Sequence, residues 1–391
     1  MPQATASFEP FKNAYSPDKV AAMATTLSRR VPEFDAARFF ERVEPTLEEL
    51  EMKARVDLIA LSIHASLPLP YPEAVSRLVG ALGEAGAPDG KDHWGPDDPG
   101  GEGLSGFAVW PLTHFVARFG LGHHEASMAA LWQMTSRWTA EFALRPFLDA
   151  EPARTLLVLE RWAQSPDQHL RRAASESTRP RLPWGMRLRG FVADPAPVIA
   201  LIEPLRDDPS EYVRRSVANN LNDIGKDHPE LLVQVASRWW RDGSARTRKL
   251  VKHALRSLVK AGHPGALRLL GFTVPAQIDI DGPRLSSARL TLGGTQVVRA
   301  CVTSTSDEPQ RIVVDIVLHL IGARGQDREK VFKARTFTLQ PQATEEIEWT
   351  LAIRPISTRA YYAGRHGIEL LVCGERQGRV DFELLVPEPS L

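Results

Sequence analysis

The fold of this chain is decided by three similar stretches: PARTLLVLERWAQSPDQHLRRAASE at 152–176, PAPVIALIEPLRDDPSEYVRRSVANN at 195–220 and PELLVQVASRWWRDGSARTRKLVKHA at 229–254. Each stretch begins with a proline, which suits a helix start because its missing N–H group would have no partner there. A pair of basic residues begins 19 residues after each proline. The pattern predicts a helix, a short turn and a second helix in every stretch.

This helix pair recurs in steps of 43 and then 34 residues, which is typical of HEAT-like repeats that stack into an α-solenoid. The longer step contains the insert RPRLPWGMRLRG at 179–190, and a truncated copy begins at Pro264. An earlier, more divergent copy is expected around Ser136 and Arg137. Apolar residues at helical spacing extend through most of residues 1–150, interrupted by a Gly-, Pro- and Asp-rich stretch at 86–106 that we expect to be an exposed loop.

The hydrophobic period changes near Phe272. Residues 276–391 contain alternating stretches such as TQVVRACVTS and RIVVDIVLHLI, separated by turn signals such as GARGQD and GERQG. The sequence therefore predicts an α-solenoid over 1–272, followed by an all-β immunoglobulin-like sandwich of seven or eight strands over 276–391. Cys301 and Cys373 fall on two of these strands; a disulfide between them is conceivable, but reduced thiols are expected in a cytoplasm.

The formal net charge of the chain is zero, but its distribution is uneven. Residues 141–272 carry a net +7, against −6 for residues 1–140 and −1 for residues 273–391. A basic block of this kind suggests a polyanionic partner. No apolar run is long enough to span a bilayer and no secretory signal is evident, so we expect a cytoplasmic protein. Motifs for phosphate loops, dinucleotides, a nucleophile elbow or a zinc centre are absent, and no metal or cofactor is predicted.

Stacked repeats align equivalent residues in columns. One column holds the basic pairs Arg171–Arg172, Arg214–Arg215 and Arg248–Lys249, which would lie near the N-terminus of each second helix and could contact phosphates. Alternatively, these arginines bond a neighbouring aspartate such as Asp167 or Asp208.

A second column holds Glu176, Asn219 and His253, with Glu141 in the earlier copy and Asp223 one turn after Asn219. Carboxylates beside a polyanion are useful where a cation must be stabilised. The alternative is that they pair with Arg145, Arg179 or Arg181. Trp138 precedes Glu141 by one turn, and Trp184 lies in the insert, where an indole could stack on a base or sugar.

Three runs, TAEFALRPFL, HLRRAASESTRPRLPWGMRLR and YVRRSVANNLNDIGKDHPELL, resemble the DNA alkylation repair glycosylases built from HEAT-like repeats, in the AlkC branch that carries an immunoglobulin-like domain. The resemblance implies hydrolysis of the N-glycosidic bond of cationic bases, chiefly 3-methyladenine and 3-methylcytosine, in duplex DNA and without base flipping. It implies catalytic roles for Glu141, Glu176, Trp184 and Asp223. Ser177 departs from the glycine expected after Glu176, so a slightly different local turn is expected.

On this basis, double-stranded DNA with alkylated bases is the expected partner of a monomeric enzyme without cofactor or membrane association. The predicted DNA-binding residues are Arg145, Arg171, Arg172, Arg179, Arg181, Arg214, Arg215, Asn219, Asn222, Arg248 and Lys249. Two other functions stay open from the residues alone: a non-catalytic DNA-binding repeat protein, and a protein–protein scaffold.

Overall fold

The structure is a computed structural model that describes residues 10–85, 103–355 and 360–387. Most of the predicted loop at 86–106 therefore lies outside the described residues. The chain forms two compact units. The helical unit comprises Met1–Asp227 and Trp239–Ala254, and the sandwich unit comprises His228–Arg238 and Leu255–Leu391.

The described α-helices follow the predicted periodicity. They are α1 (Pro17–Arg30), α2 (Ala36–Val43), α3 (Met52–Ala65), α4 (Tyr71–Gly80), α5 (Trp110–Phe119), α6 (His124–Thr135), α7 (Glu141–Ala150), α8 (Pro152–Ala163), α9 (Gln168–Ser177), α10 (Arg189–Ala193), α11 (Ala196–Ile202), α12 (Glu211–Ile224), α13 (Pro229–Asp242), α14 (Ala245–Ala254), α15 (Arg256–Lys260) and α16 (Pro264–Leu269).

The three quoted stretches form the helix pairs α8–α9, α11–α12 and α13–α14, which confirms the predicted repeat. Within the helical unit, α12 packs against both α9 and α14. Small and branched apolar residues such as Ala173, Val217 and Val251 are buried between these second helices. Asp167 caps α9 by accepting a hydrogen bond from the His169 backbone N–H at 2.8 Å. The cap fixes the start of α9, and the packing of α12 on α9 and α14 holds the second helices side by side.

The basic pairs lie at the fourth and fifth positions of α9, α12 and α14, one turn inside each helix. The free N–H groups of a helix belong to its first turn. The pairs are therefore displaced from the helix end where the sequence analysis placed them, and their contacts are made by side chains.

The sandwich unit has β1 (Ile278–Leu285), β2 (Arg289–Thr291), β3 (Thr295–Ser304), β4 (Gln310–Ile321), β5 (Asp327–Leu339), β6 (Thr344–Ala352), β7 (Gly364–Val372) and β8 (Glu375–Leu385). They form a three-stranded sheet in the order β1-β3-β6 and a five-stranded sheet in the order β2-β8-β7-β4-β5. Neighbouring strands are antiparallel except β2 and β8, which are parallel.

The core of the sandwich unit is built from the inward faces of both sheets, with Val302, Ile316 and Ile368 buried in it. Leu267 of α16 packs into the same core, so the truncated repeat copy at Pro264 covers part of the sandwich. The predicted fold class, helical repeats followed by a β-sandwich, is confirmed. Cys301 is half-buried, Cys373 is buried, and both are free thiols.

None of the helices in the described ranges is long and apolar enough to cross a membrane. Within the same ranges, His, Cys, Asp and Glu side chains form no group of three or more that could hold a metal ion.

Candidate active site

Glu141 and Glu176, predicted to face one groove, are brought together by a shared cation. Glu141 is the first residue of α7, and Glu176 lies near the end of α9. Arg172, one turn before Glu176, donates to Glu141 through both terminal nitrogens, and its Nη2 lies 3.6 Å from Glu176 Oε1. The repeat stacking therefore places both carboxylates around one guanidinium.

A second guanidinium extends this arrangement to α12. Arg179 donates from Nη1 to Glu176 Oε1 at 2.6 Å and from Nε to Asp223 Oδ2 at 2.7 Å. Lys226 donates to the other oxygen of Asp223 at 2.7 Å. We call this alternating row of acids and bases the ion chain; its members are Glu141, Arg172, Glu176, Arg179, Asp223 and Lys226.

The three carboxylates of the ion chain are buried: Glu141 and Glu176 are 6% exposed and Asp223 is 1% exposed. The alternative of intramolecular pairing is thus confirmed, although for Glu141 the partner is Arg172. Buried carboxylates need such partners, because an unpaired buried charge is strongly unfavourable. The three carboxylates are also matched by the three cations Arg172, Arg179 and Lys226, so the ion chain carries no formal net charge.

The two glutamates differ in their pKa. Burial raises the pKa of Glu141, and the nearby charge of Glu176 adds to this, against the lowering effect of Arg172. Burial also acts to raise the pKa of Glu176, but Arg172, Arg179 and a hydrogen bond from Ser216 outweigh burial and lower it. Glu176 is therefore the more firmly ionised of the two carboxylates.

Trp184 is presented to solvent at the tip of the insert. It is 60% exposed, and its φ of 65° lies in the left-handed region that non-glycine residues seldom adopt. Lys53 of α3 donates to its main-chain carbonyl. We call residues 178–188 the tryptophan loop.

Arg145, predicted to bind DNA, has a different role, and the prediction of a direct contact is wrong. Its guanidinium is buried and donates to the carbonyls of Ser177 at 2.7 Å, Arg179 at 2.8 Å and Met186 at 2.8 Å. Burial, together with the charge of Arg179, lowers the pKa of Arg145 to about 10, so it remains protonated at neutral pH. Arg145 is the internal support of the tryptophan loop.

The prediction that Asn222 binds DNA also needs correction. It is 3% exposed and donates to the Ala254 carbonyl at 2.8 Å, which ties α12 to the end of α14. Trp138 is also buried, with its ring 4.4 Å from that of Phe107, so it is a core residue rather than an aromatic of the site surface.

Four other predicted DNA-binding arginines are engaged with carboxylates. Arg171 donates to Asp208 at 2.6 and 3.0 Å, which confirms for this residue the alternative of aspartate pairing. Arg181 donates from Nε to Asp227 at 2.6 Å. Arg172 and Arg179 belong to the ion chain. These side chains connect one repeat to the next. Each of them could contact a DNA phosphate only while it also remains bonded to its carboxylate.

The more exposed cations line a shallow groove between α12 and α14. The groove is formed by Glu211, Arg214, Arg215, Ala218, Arg246, Lys249, Leu250 and His253. Lys249 lies 3.0 Å and Arg215 3.9 Å from Glu211, so one carboxylate serves two exposed cations. The groove therefore keeps an excess of positive charge.

Beside this α12–α14 groove, Arg248 and Lys252 each lie 5.7 Å from the centre of the Trp240 ring. Asn219 Oδ1 accepts a hydrogen bond from His253 Nε2 at 3.2 Å, so these two members of the predicted second column are in contact. Trp240, which its helical position predicts to be a core residue, is only half-buried, and Arg246 and Lys252 had not been singled out from the sequence.

Sequence reasoning also missed Ser216 and Tyr212. Ser216 of α12 donates to Glu176 Oε2 at 2.6 Å, and the Tyr212 ring lies 5.2 Å from the Arg172 guanidinium carbon. The equivalent position to Ser216 is Ala173 in the preceding repeat. The available signal was a serine at a repeat position that is otherwise apolar, which indicates a buried hydroxyl with a polar partner.

Family models match both parts of the chain. A model described as DNA alkylation repair enzyme matches residues 126–258, and a model described as the C-terminal Ig-like domain of the uncharacterised protein YhaZ matches residues 279–386. The chain thus has repeat helices that carry the buried ion chain, followed by an immunoglobulin-like domain. It is a helical-repeat protein of the DNA alkylation repair class.

Two relatives match nearly the whole chain. The uncharacterised protein YhaZ of Bacillus subtilis is 32% identical over 374 residues, which is 95% of this chain and 99% of that protein. The Pseudomonas fluorescens alkylpurine DNA glycosylase AlkC, solved bound to DNA containing an abasic site analog, is 36% identical with a TM-score of 0.84 over 96% of this chain and 100% of that one. This chain belongs to the AlkC family of DNA alkylation repair proteins.

Proposed function

We propose that this protein is a DNA glycosylase of base excision repair that hydrolyses the N-glycosidic bond of cationic alkylated bases, 3-methyladenine and 3-methylcytosine, in duplex DNA. The observation that carries the proposal is the ion chain, in which Arg172 and Arg179 hold Glu141, Glu176 and Asp223 together. The exposed Trp184 lies on the tryptophan loop, whose carbonyls are bound by Arg145 of α7. The full-length likeness to an alkylpurine DNA glycosylase supports the same reaction and the same partner.

The chemistry explains why carboxylates are needed. A ring-alkylated base is already cationic, so it departs as a neutral base when the C1′–N bond breaks and its electron pair stays on the base. Positive charge then develops on the deoxyribose, as in other glycoside cleavage. A fixed carboxylate stabilises this charge, water adds to C1′, and the water proton passes to a carboxylate.

The different surroundings of the two glutamates suggest different roles. Glu176 has the lowered pKa and several donors, so we assign it to stabilising the cationic sugar. Glu141 has the raised pKa, so we assign it to accepting the proton from water. Asp223 anchors Arg179 and thereby orients Glu176. Trp184 would pack on the sugar or base.

Removal without base flipping is the form of the reaction that the burial favours. The side chains of Glu141 and Glu176 retain only 8% and 7% of their surface. So small an exposed area suits contact with the edge of a deoxyribose better than enclosure of an extruded base. Phosphate contacts are assigned to the α12–α14 groove, where Arg214, Arg215 and Lys249 lie, with Arg248 beside it. We propose that the protein acts as a monomer on DNA in the cytoplasm.

The deciding experiment is incubation with methylated duplex DNA, followed by chromatography of the released bases. Wild type should release 3-methyladenine and 3-methylcytosine but no normal adenine. Glu141→Gln and Glu176→Gln should each reduce the single-turnover rate at least about a hundredfold, the size seen when one transition-state electrostatic contact is lost. Glu160→Gln, an exposed glutamate of α8, is the matched control and should behave as wild type.

Two results would overturn the enzymatic function. Wild type and the two variants could release equally little base while still binding DNA, which would favour a non-catalytic DNA-binding protein. Alternatively, DNA affinity could be absent or independent of salt, which would favour a protein–protein scaffold.

A further inference from the structure

The two oxygens of the Glu176 carboxylate face different partners. Oε1 accepts from Arg179 at 2.6 Å and lies 3.6 Å from Arg172. Oε2 accepts from Ser216 Oγ at 2.6 Å. The guanidiniums therefore hold one edge of the carboxylate, while the hydroxyl of α12 fixes the other and sets the rotation of its plane.

The direction of the hydroxyl proton follows from the chemistry. Ser216 Oγ also lies 3.0 Å from Ser175 Oγ, and a serine has one proton to donate. Both oxygens are placed as acceptors for Ser216, and a carboxylate is the stronger acceptor, so Ser216 donates its proton to Glu176 rather than to Ser175. Both serines are buried, so water does not compete for these bonds. The single hydroxyl proton of Ser216 is therefore committed to Glu176.

We infer that Ser216 is a positioning residue for the glycosylase reaction, which fixes the orientation of the Glu176 carboxylate and keeps it ionised. This inference rests on the proposed function. Its structural basis is the hydrogen bond from Ser216 Oγ to Glu176 Oε2. Without the hydroxyl, Oε2 loses its donor, and the carboxylate is free to rotate towards the two guanidiniums. The groups that face Glu176 electrostatically, besides Ser216, are Arg172, Arg179, Glu141, Tyr212 and Arg145.

The test is a titration of Glu176 that does not depend on activity. Protein labelled with ¹³C at the glutamate carboxyl is titrated by NMR, and the Glu176 signal is assigned by its loss in Glu176→Gln. In Ser216→Ala the midpoint for Glu176 should rise by about one pH unit, because a hydrogen bond to a charged group is lost. In single turnover, base release should slow about tenfold with the DNA dissociation constant unchanged within about twofold.

Two further variants complete the test. Ser177→Ala is the matched control: it removes a neighbouring buried hydroxyl that has no hydrogen-bond partner within the described residues, and should leave the titration unchanged. Ser216→Thr keeps the hydroxyl and should titrate as wild type, which keeps the test valid if the alanine variant folds poorly.

An unchanged Glu176 midpoint in Ser216→Ala, or an equal rise in Ser177→Ala, would overturn the inference. If wild type releases no base at all, the proposed function fails, whatever the titration shows.

Discussion

Arg145 donates to the main-chain carbonyl of Met186 at 2.8 Å, so a buried cation of α7 fixes the loop that presents Trp184. The same guanidinium also holds the carbonyls of Ser177 and Arg179. A residue that sequence analysis assigned to DNA is thus committed to the protein interior. Backbone carbonyls can satisfy a guanidinium because its five N–H groups point in several directions.

Arg145→Met is expected to destabilise the protein by about 3 kcal/mol or more, because buried carbonyls that lose their donor cost about 1–3 kcal/mol each. Urea unfolding measures this change. Trypsin should also cleave faster at the exposed Arg187 of the tryptophan loop. Arg154→Met is the control, since Arg154 makes only partly exposed pairs with Glu125 and Glu151. Equal stability and equal cleavage in both variants would show that Arg145 does not support the loop.

The backbone of Trp184 leads to a second prediction. Its φ of 65° disfavours any residue with a Cβ, while glycine adopts this conformation freely. The free energy of unfolding of Trp184→Gly should therefore be about 1 kcal/mol higher than that of Trp184→Ala. Because the two variants both lack the indole, they should be equally impaired in base release. An alanine variant as stable as the glycine variant would mean that the loop relaxes to another backbone conformation.

Much of the architecture was accessible from the sequence, because it depends on local patterns. Prolines at helix starts and apolar residues at helical spacing located the pairs α8–α9, α11–α12 and α13–α14. Alternating residues located the strands from β1 to β8. The closeness of Glu141 and Glu176 was also predictable, because equivalent positions of stacked helices are neighbours.

The partners of the arginines were not accessible, because they depend on side-chain direction and on burial. Arg171 and Arg172 are adjacent in sequence, yet one meets Asp208 and the other meets Glu141. The sequence also could not show that the insert folds back onto α7, where its carbonyls surround Arg145. Ser177 completes α9 in helical conformation, so the glycine expected there is not required by the backbone.

A third prediction separates structural arginines from DNA-binding ones. Arg171→Ala should cost about 3 kcal/mol of stability, because it leaves Asp208, only 6% exposed, without its cation. Arg215→Ala should leave stability nearly unchanged, since Arg215 is 67% exposed. The Arg215 variant should instead weaken DNA binding and lower the slope of affinity against salt by about one. Urea unfolding and salt-dependent binding, measured on both variants, distinguish the two roles. If Arg171→Ala changed only the slope of DNA affinity against salt, Arg171 would be a DNA-binding residue and not a structural one.

The sandwich unit offers a fourth prediction, based on Asp315 of β4. This residue is 4% exposed, and burial raises its pKa to about 6, against the lowering effects of Lys333 on β5 and Lys260 on α15. An acid whose folded pKa is raised binds its proton more tightly in the folded state. Its ionisation therefore destabilises the fold progressively as pH rises from about 4 to about 6.

Asp315→Asn should remove that penalty and raise the free energy of unfolding by about 2–3 kcal/mol at pH 7.5, with little effect at pH 4. Urea unfolding at the two pH values measures the difference. Asp327→Asn, at an exposed position of β5, is the control and should change neither value. If Asp315→Asn were instead destabilising at pH 7.5, the ionised carboxylate would have to gain more from Lys333 and Lys260 than it loses by burial. Charge would then outweigh burial at this position of β4.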